Sequence, residues 1–254
     1  MIPQITLRLL FGMALTWCWL PRAKVTSGFF RIQMLVTLGL SVLALLTASQ
    51  LPGDPTSRLW GLTSLRIAIG CGAAVSFLGS VLWTLERRSG GTRLAFVLAA
   101  LFATVLSAQL PQQSLGSGIL SCLGEWSSGW LLGGAVAAML LGHWYLTAPM
   151  MSLDPLTQAN RLLLAAVILR IVVAVVMLSS QYSQISLKEH RIWLILQALA
   201  GLAAPLLIAF AVTRILKYRN TQSATGVLFA AVILIFIGES AGSLLMHEVQ
   251  SRGP

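Results

Sequence analysis

The sequence predicts an all-α integral membrane protein of about eight transmembrane helices, which a faint internal repeat would arrange as two four-helix bundles. Three observations predict it. The 254-residue chain is 57% hydrophobic and only 9% charged, against about 25% charged residues in soluble domains. Its mean hydropathy is +0.84. Apolar runs of about 18–20 residues, the length that crosses a bilayer as a helix, recur along its whole length. A soluble enzyme, an intrinsically disordered chain and a collagen-like repeat are excluded on these grounds. Helices are required because lipid offers backbone amides no partner outside the helix itself.

The runs fall at about 5–20, 32–48, 65–85, 92–108, 127–147, 158–178, 191–215 and 223–246. Residues 1–110 thus hold helices 1–4, residues 111–126 form an outer loop, and residues 127–254 hold helices 5–8. Run 1 is the shortest. No small-residue cleavage pattern follows it; Pro21, Arg22 and Lys24 do, which reads as an uncleaved helix with its N-terminus outside. Run 2, Met34 to Ala48, has no charge. Run 3 opens at Arg66 and carries Gly70 and Gly72, and run 4 follows Arg87, Arg88 and Arg93. The connection before run 5, Leu110 to Glu125, has no basic residue and is partly apolar; it reads equally as an interfacial segment or an exposed loop. Run 5 contains Gly133-Gly134 and ends in His143-Trp144-Tyr145. Run 6 contains Arg170, and run 7 contains Gln197 and Pro205. Run 8 contains Glu239 within Gly238-x-x-x-Gly242. Small residues at such spacing permit close helix approach.

Lys and Arg number 17 against seven Asp and Glu. In this setting the excess is a topology signal rather than a nucleic-acid footprint. Ten basic residues fall on the side of connections 1–2, 3–4, 5–6 and 7–8: Arg22, Lys24, Arg31, Arg87, Arg88, Arg93, Arg161, Arg214, Lys217 and Arg219. Six fall on the other: Arg8, Arg58, Arg66, Lys188, Arg191 and Arg252. Arg8 also reads as buried near the start of helix 1. The richer side is expected to be cytoplasmic, with both termini outside, in a bacterial inner membrane. Tryptophans at run ends (Trp17, Trp19, Trp83 and Trp144 on one side; Trp60, Trp126, Trp130 and Trp193 on the other) read as two interfacial belts.

Landmarks repeat between the halves: Trp19-Leu20 with Tyr145-Leu146, Ser49-Gln50 with Ser180-Gln181, and Arg66-Ile67 with Arg191-Ile192. Four spans per repeat give both halves the same orientation.

No metal site is expected. Cys18, Cys71 and Cys122 form no pair motif, and there is no CxxC, CxxCH or HExxH. A b-type haem would need two histidines at matching depth on facing helices. His190 and His247 share the outer depth but stand beside Glu189 and Glu248 at helix ends. Solvated histidines are the preferred reading and haem the minor one.

Ionisable residues in mid-bilayer cost a few kcal/mol and mark function by default. Arg170 lies about eleven residues into run 6, and Glu239 about fourteen residues into run 8, so at 1.5 Å per residue their depths differ by only about 5 Å. They are expected to pair. The pair is either a structural ion pair or a proton-carrying carboxylate tuned by arginine, and the candidate catalytic residues are Glu239 and Arg170. His143 and Tyr145, beside Trp144, suit a quinone headgroup, with a donor to a carbonyl and an aromatic flank. They equally suit an ordinary interfacial belt. Gln197 in run 7 is a third candidate for binding a carbonyl ligand.

The final helix, from Ala231 through Gly238-Glu239-Ser-Ala-Gly242, resembles that of dimethyl sulfoxide reductase anchors and polysulfide-reductase-type membrane subunits. Those proteins have eight spans and outer termini. The resemblance implies a quinone-interacting subunit without a redox centre of its own, passing electrons to an iron–sulfur or other redox partner. Glu239 is the residue it carries over. The competing readings are a small-molecule or ion transporter and a structural or assembly membrane protein.

Overall fold

The computed structural model describes residues 2–51, 59–110, 115–148, 151–180 and 191–251, with the side chains of Leu115 and of residues 246–251 left aside. Among the described residues every regular element is helical. The long helices are α1 (Ile2–Trp19), α2 (Ser27–Thr47), α3 (Leu62–Thr84), α4 (Arg88–Ala108), α5 (Leu115–Thr147) and α6 (Asp154–Ser180). A seventh stretch, Arg191–Lys217, consists of α7 (Arg191–Leu196), a π-helical segment (Gln197–Ala203) and α8 (Ala204–Lys217). The last helix is α9 (Thr221–Ser251).

Seven of these helical stretches are long and apolar enough to cross a membrane. The eighth expected span, α1, falls short, and its position explains why. Leu7, Leu10, Met13, Ala14 and Trp17 are fully buried, because α2, α4 and α5 surround the helix. A helix enclosed by protein need not be apolar all round, so α1 tolerates Gln4, Thr6, Arg8 and Thr16. The other helices instead turn large apolar side chains outward, such as Leu46, Ile67, Val175 and Leu207. In a bilayer those side chains meet lipid.

Neighbouring helices pack in chain order within each half. In the first half α1 contacts α2 and α4, and α3 contacts α2 and α4. In the second, α5 contacts α6 and α9, and α8 contacts α6 and α9. The halves meet chiefly through α1 and α5. There the backbones nearly touch: a Cβ on Gly12 would lie 1.9 Å from the Gly129 carbonyl oxygen, and one on Gly133 would lie 2.3 Å from the Met13 nitrogen. Glycine is required at this crossing because any side chain would occupy backbone.

Two expectations change, and one feature appears that hydropathy does not show. Residues 115–126, assigned above to an outer loop, are the first turns of α5; residues 111–114 lie outside the described residues. The tryptophans are not all belt residues, for Trp17 and Trp83 are buried, Trp83 being stacked on Phe30 at 4.5 Å. Finally, Pro205 does not break its helix. It lacks the N–H that would bond the carbonyl of Gly201, and the turns before it widen into the π segment instead.

The ten basic residues of the richer side gather at one end of the molecule. Lys24 pairs with Asp154 across the first and third of these connections. Arg88 Nη1 donates to the Ala23 carbonyl at 3.5 Å, and Trp144 Nε1 to Thr26 Oγ1 at 2.9 Å. We refer to this as the basic end.

Candidate functional site

The helix register brings four charged side chains together toward the opposite, far end. Arg170 and Glu239 do meet. Arg170 Nε donates to Glu239 Oε1 at 2.7 Å and Nη2 donates to Oε2 at 2.9 Å, a bidentate pair. Ser128 of α5 donates to the same Oε2 at 2.5 Å. Arg170 Nη1 reaches the Gly124 carbonyl at 3.4 Å. Both charged residues are almost fully enclosed, at 7% and 2% exposure.

A second pair stands beside it, which sequence reasoning missed. Arg8 of α1 donates from Nε to Glu125 Oε2 at 2.8 Å and from Nη2 to Oε1 at 2.6 Å. Gln4 Nε2 adds a third bond to Glu125 at 2.9 Å. Arg8 Nη1 donates to Ser243 Oγ at 2.9 Å, one turn beyond Glu239 on α9. Arg8 and Glu239 are also within electrostatic reach of each other. The result is one charge-neutral network of two arginines and two glutamates drawn from α1, α5, α6 and α9.

The elements explain the placement. Glu125 and Ser128 lie three residues apart, hence on one face of α5. Glu239 and Ser243 lie four apart on α9. Four carboxylate oxygens each accept at least one charge-assisted bond. A low-dielectric interior makes such a satisfied network rigid and makes any missing member costly. Removing one donor of the network has a moderate cost: Ser128→Ala is expected to lower stability by about 1–2 kcal/mol. Thermal unfolding in detergent, followed by circular dichroism, would check this; no change would mean that Ser128 is not needed by Glu239.

The other candidates do not join this cluster. Gln197, the first residue of the π segment, lies over Gly242, where an added Cβ would be 2.8 Å from its Nε2. Among the described residues Gln197 makes no bond to the charged groups. The π segment itself rests on α9 at Gly238, whose Cβ would fall 2.1 Å from the Gly201 Cα. His143 and Tyr145 sit at the basic end and face different ways. His143 is exposed, edge-on to Phe229 of α9 at 6.5 Å. Tyr145 is buried, and its hydroxyl donates to the Ser152 carbonyl at 2.5 Å. That hydroxyl holds the α5–α6 connection and is not available to a carbonyl ligand. His190 and the side chain of His247 lie outside the described residues. Among the described residues no three His, Cys, Asp or Glu side chains converge as a metal-ligand group.

Arg8–Glu125 had a legible signal. Both stand in or beside apolar runs, and helices 1 and 5 descend in the same direction. What the sequence concealed was that the helix of run 5 begins ten residues before Glu125.

Comparison with family models, curated proteins and solved structures gives no match for this chain.

Proposed function

We propose that this chain is an eight-span protein of the bacterial inner membrane, with its basic end in the cytoplasm and both termini outside, serving as the quinone-interacting anchor of a multi-subunit respiratory oxidoreductase. The neighbour pattern, α1–α4 closed on itself and α5–α9 closed on itself, supports two four-helix bundles in tandem. The basic end supports the orientation. The observation that carries the functional reading is Glu239. It is the acidic residue of the Gly-Glu-x-x-Gly sequence that resembles polysulfide-reductase-type anchors, and it is the residue on which α5 and α6 converge.

In this reading the four-charge network is the scaffold that holds the helices in register. Quinone binding falls to the lipid-exposed side chains: His143, with Phe229 against its ring, is the donor left for a quinone carbonyl. The reaction's electrons pass to the redox partner, which this chain anchors.

The test is purification from native membranes together with any bound subunit, followed by solvent extraction and quantification of quinone. About one quinone per chain, reduced severalfold by His143→Ala, is expected, along with an iron–sulfur or other redox subunit. A quinone-free monomer would overturn the reading.

A second reading, a transporter of small molecules or ions, draws support from the π segment, because irregular backbone in a spanning helix accompanies ligand sites. Substrate-dependent flux in proteoliposomes, lost in Gly201→Leu, would favour it.

A further inference from the structure

The basic end carries ten basic residues and two acidic ones, Glu86 and Asp154. Asp154 is taken by Lys24. Among the described residues Arg22 and Arg93 have no carboxylate partner. Yet they are not scattered charges. The Arg22 guanidinium lies over the ring of Phe96 on α4, 5.4 Å from its centre. It is steadied there by a 2.8 Å bond from Nη2 to the Cys18 carbonyl, and among the described residues Nε and Nη1 have no partner. Arg93 is three residues before Phe96, on the same face of α4 and one turn nearer the basic end. The helix register therefore sets exposed Arg93 beside the exposed Phe96 on which Arg22 rests, on the outward face of α4.

Below that spot the surface is apolar. Phe96 and Val97 are 53% and 47% exposed, and Trp19 at the adjoining end of α1 is 63% exposed. A paired cationic site at the polar boundary, with aromatic and aliphatic surface continuing inward, has the chemistry of a phospholipid: phosphate above, acyl chain below.

We propose that Arg22 and Arg93 form a binding site for the headgroup phosphate of an anionic phospholipid, with an acyl chain lying along Phe96 and Val97. Arg22 is pre-positioned by its backbone bond and its aromatic platform, so little side-chain freedom is lost on binding. Arg93 extends along α4 to the phosphate from the other side. The site requires only that α4 faces lipid. It stands whether or not the protein binds quinone, and its test contains no quinone readout.

The full-length protein in neutral detergent is titrated with phosphatidylglycerol, with phosphatidylcholine as the zwitterionic control, and bound lipid is counted by native mass spectrometry. Arg22→Gln/Arg93→Gln is compared with Arg214→Gln/Lys217→Gln, which removes the same charge elsewhere at the basic end. Phosphatidylglycerol is expected to bind about thirtyfold more weakly to the first variant, and at most about threefold more weakly to the second. Equal losses in the two variants would overturn the site, leaving only a general attraction of the basic end for anions. Displacement of the lipid by millimolar inorganic phosphate would also overturn it, in favour of a free-anion site. A second measurement needs no variant: phosphatidylglycerol raises the thermal midpoint of the wild-type protein above that in phosphatidylcholine, and equal midpoints would count against the site.

Discussion

Replacing Arg170 by methionine is expected to destabilise the protein by about 3–5 kcal/mol. The substitution keeps the length and apolar stem of the side chain. It removes the two donors that hold Glu239 at 2.7 and 2.9 Å and leaves a carboxylate that is 2% exposed without its counter-charge. Ser128 remains as a donor, and Arg8 is within electrostatic reach, but neither forms a bidentate bond. The double variant Arg170→Met/Glu239→Leu is expected to recover most of the loss, because replacing both members of a buried pair by apolar groups is often near neutral. A thermodynamic cycle in detergent, with wild type, both single variants and the double variant, measures the coupling. A single-variant cost below about 1 kcal/mol, the range of exposed pairs, would mean that water reaches Glu239 and that the pair is no buried element. If the pair instead carries protons, a separate Glu239→Gln variant would lose turnover while its thermal unfolding stays close to that of the wild type.

Gly12→Ala is also expected to destabilise the protein, for a different reason. Its methyl group would lie 1.9 Å from the Gly129 carbonyl oxygen and 2.9 Å from the Gly133 Cα. These are backbone atoms and cannot rotate away, so α1 and α5 must separate. Overpacking of this kind costs about 1–3 kcal/mol and occasionally more. The crossing is one turn from Arg8, so separation also stretches the bonds from Arg8 to Glu125. The cost of Gly12→Ala should therefore shrink in an Arg8→Met/Glu125→Leu background, a non-additivity that thermal unfolding can read. Gly70→Ala and Gly226→Ala, where an added Cβ meets nothing within 4 Å, are the controls and should stay within about 0.5 kcal/mol of wild type. A Gly12→Ala protein as stable as these controls would show that α1 and α5 do not cross as closely as described.

Composition and run length were enough to read a helical membrane protein, since a chain this apolar buries its amides in no other way. Depth arithmetic was enough to pair Arg170 with Glu239, because 1.5 Å per residue converts position in a span into height. The same arithmetic would have paired Arg8 with Glu125 had the start of α5 been known. Helix ends in apolar sequence have weak punctuation, and Gly116, Gly118 and Gly124 lower the helical signal of Leu115–Glu125 although the helix runs through them. Tyr145 looked like a ligand donor because its sequence neighbours are aromatic. Its hydroxyl proved to belong to Ser152, and a bond across a connection leaves no periodic trace.

The sequence by itself determined that the protein lives in a bilayer, where its helices run and which end carries the basic residues, because these follow from hydropathy summed along the chain. Only the tertiary structure decided which helix lies innermost, that two arginine–glutamate pairs share one network, and that Arg22 lies over the ring of Phe96. Those depend on rotation of each helix about its own axis. In a chain this uniformly apolar, the hydrophobic pattern that would orient a helix in water is too weak to do so, and close contacts at glycines such as Gly12, Gly129 and Gly133 set the rotation instead.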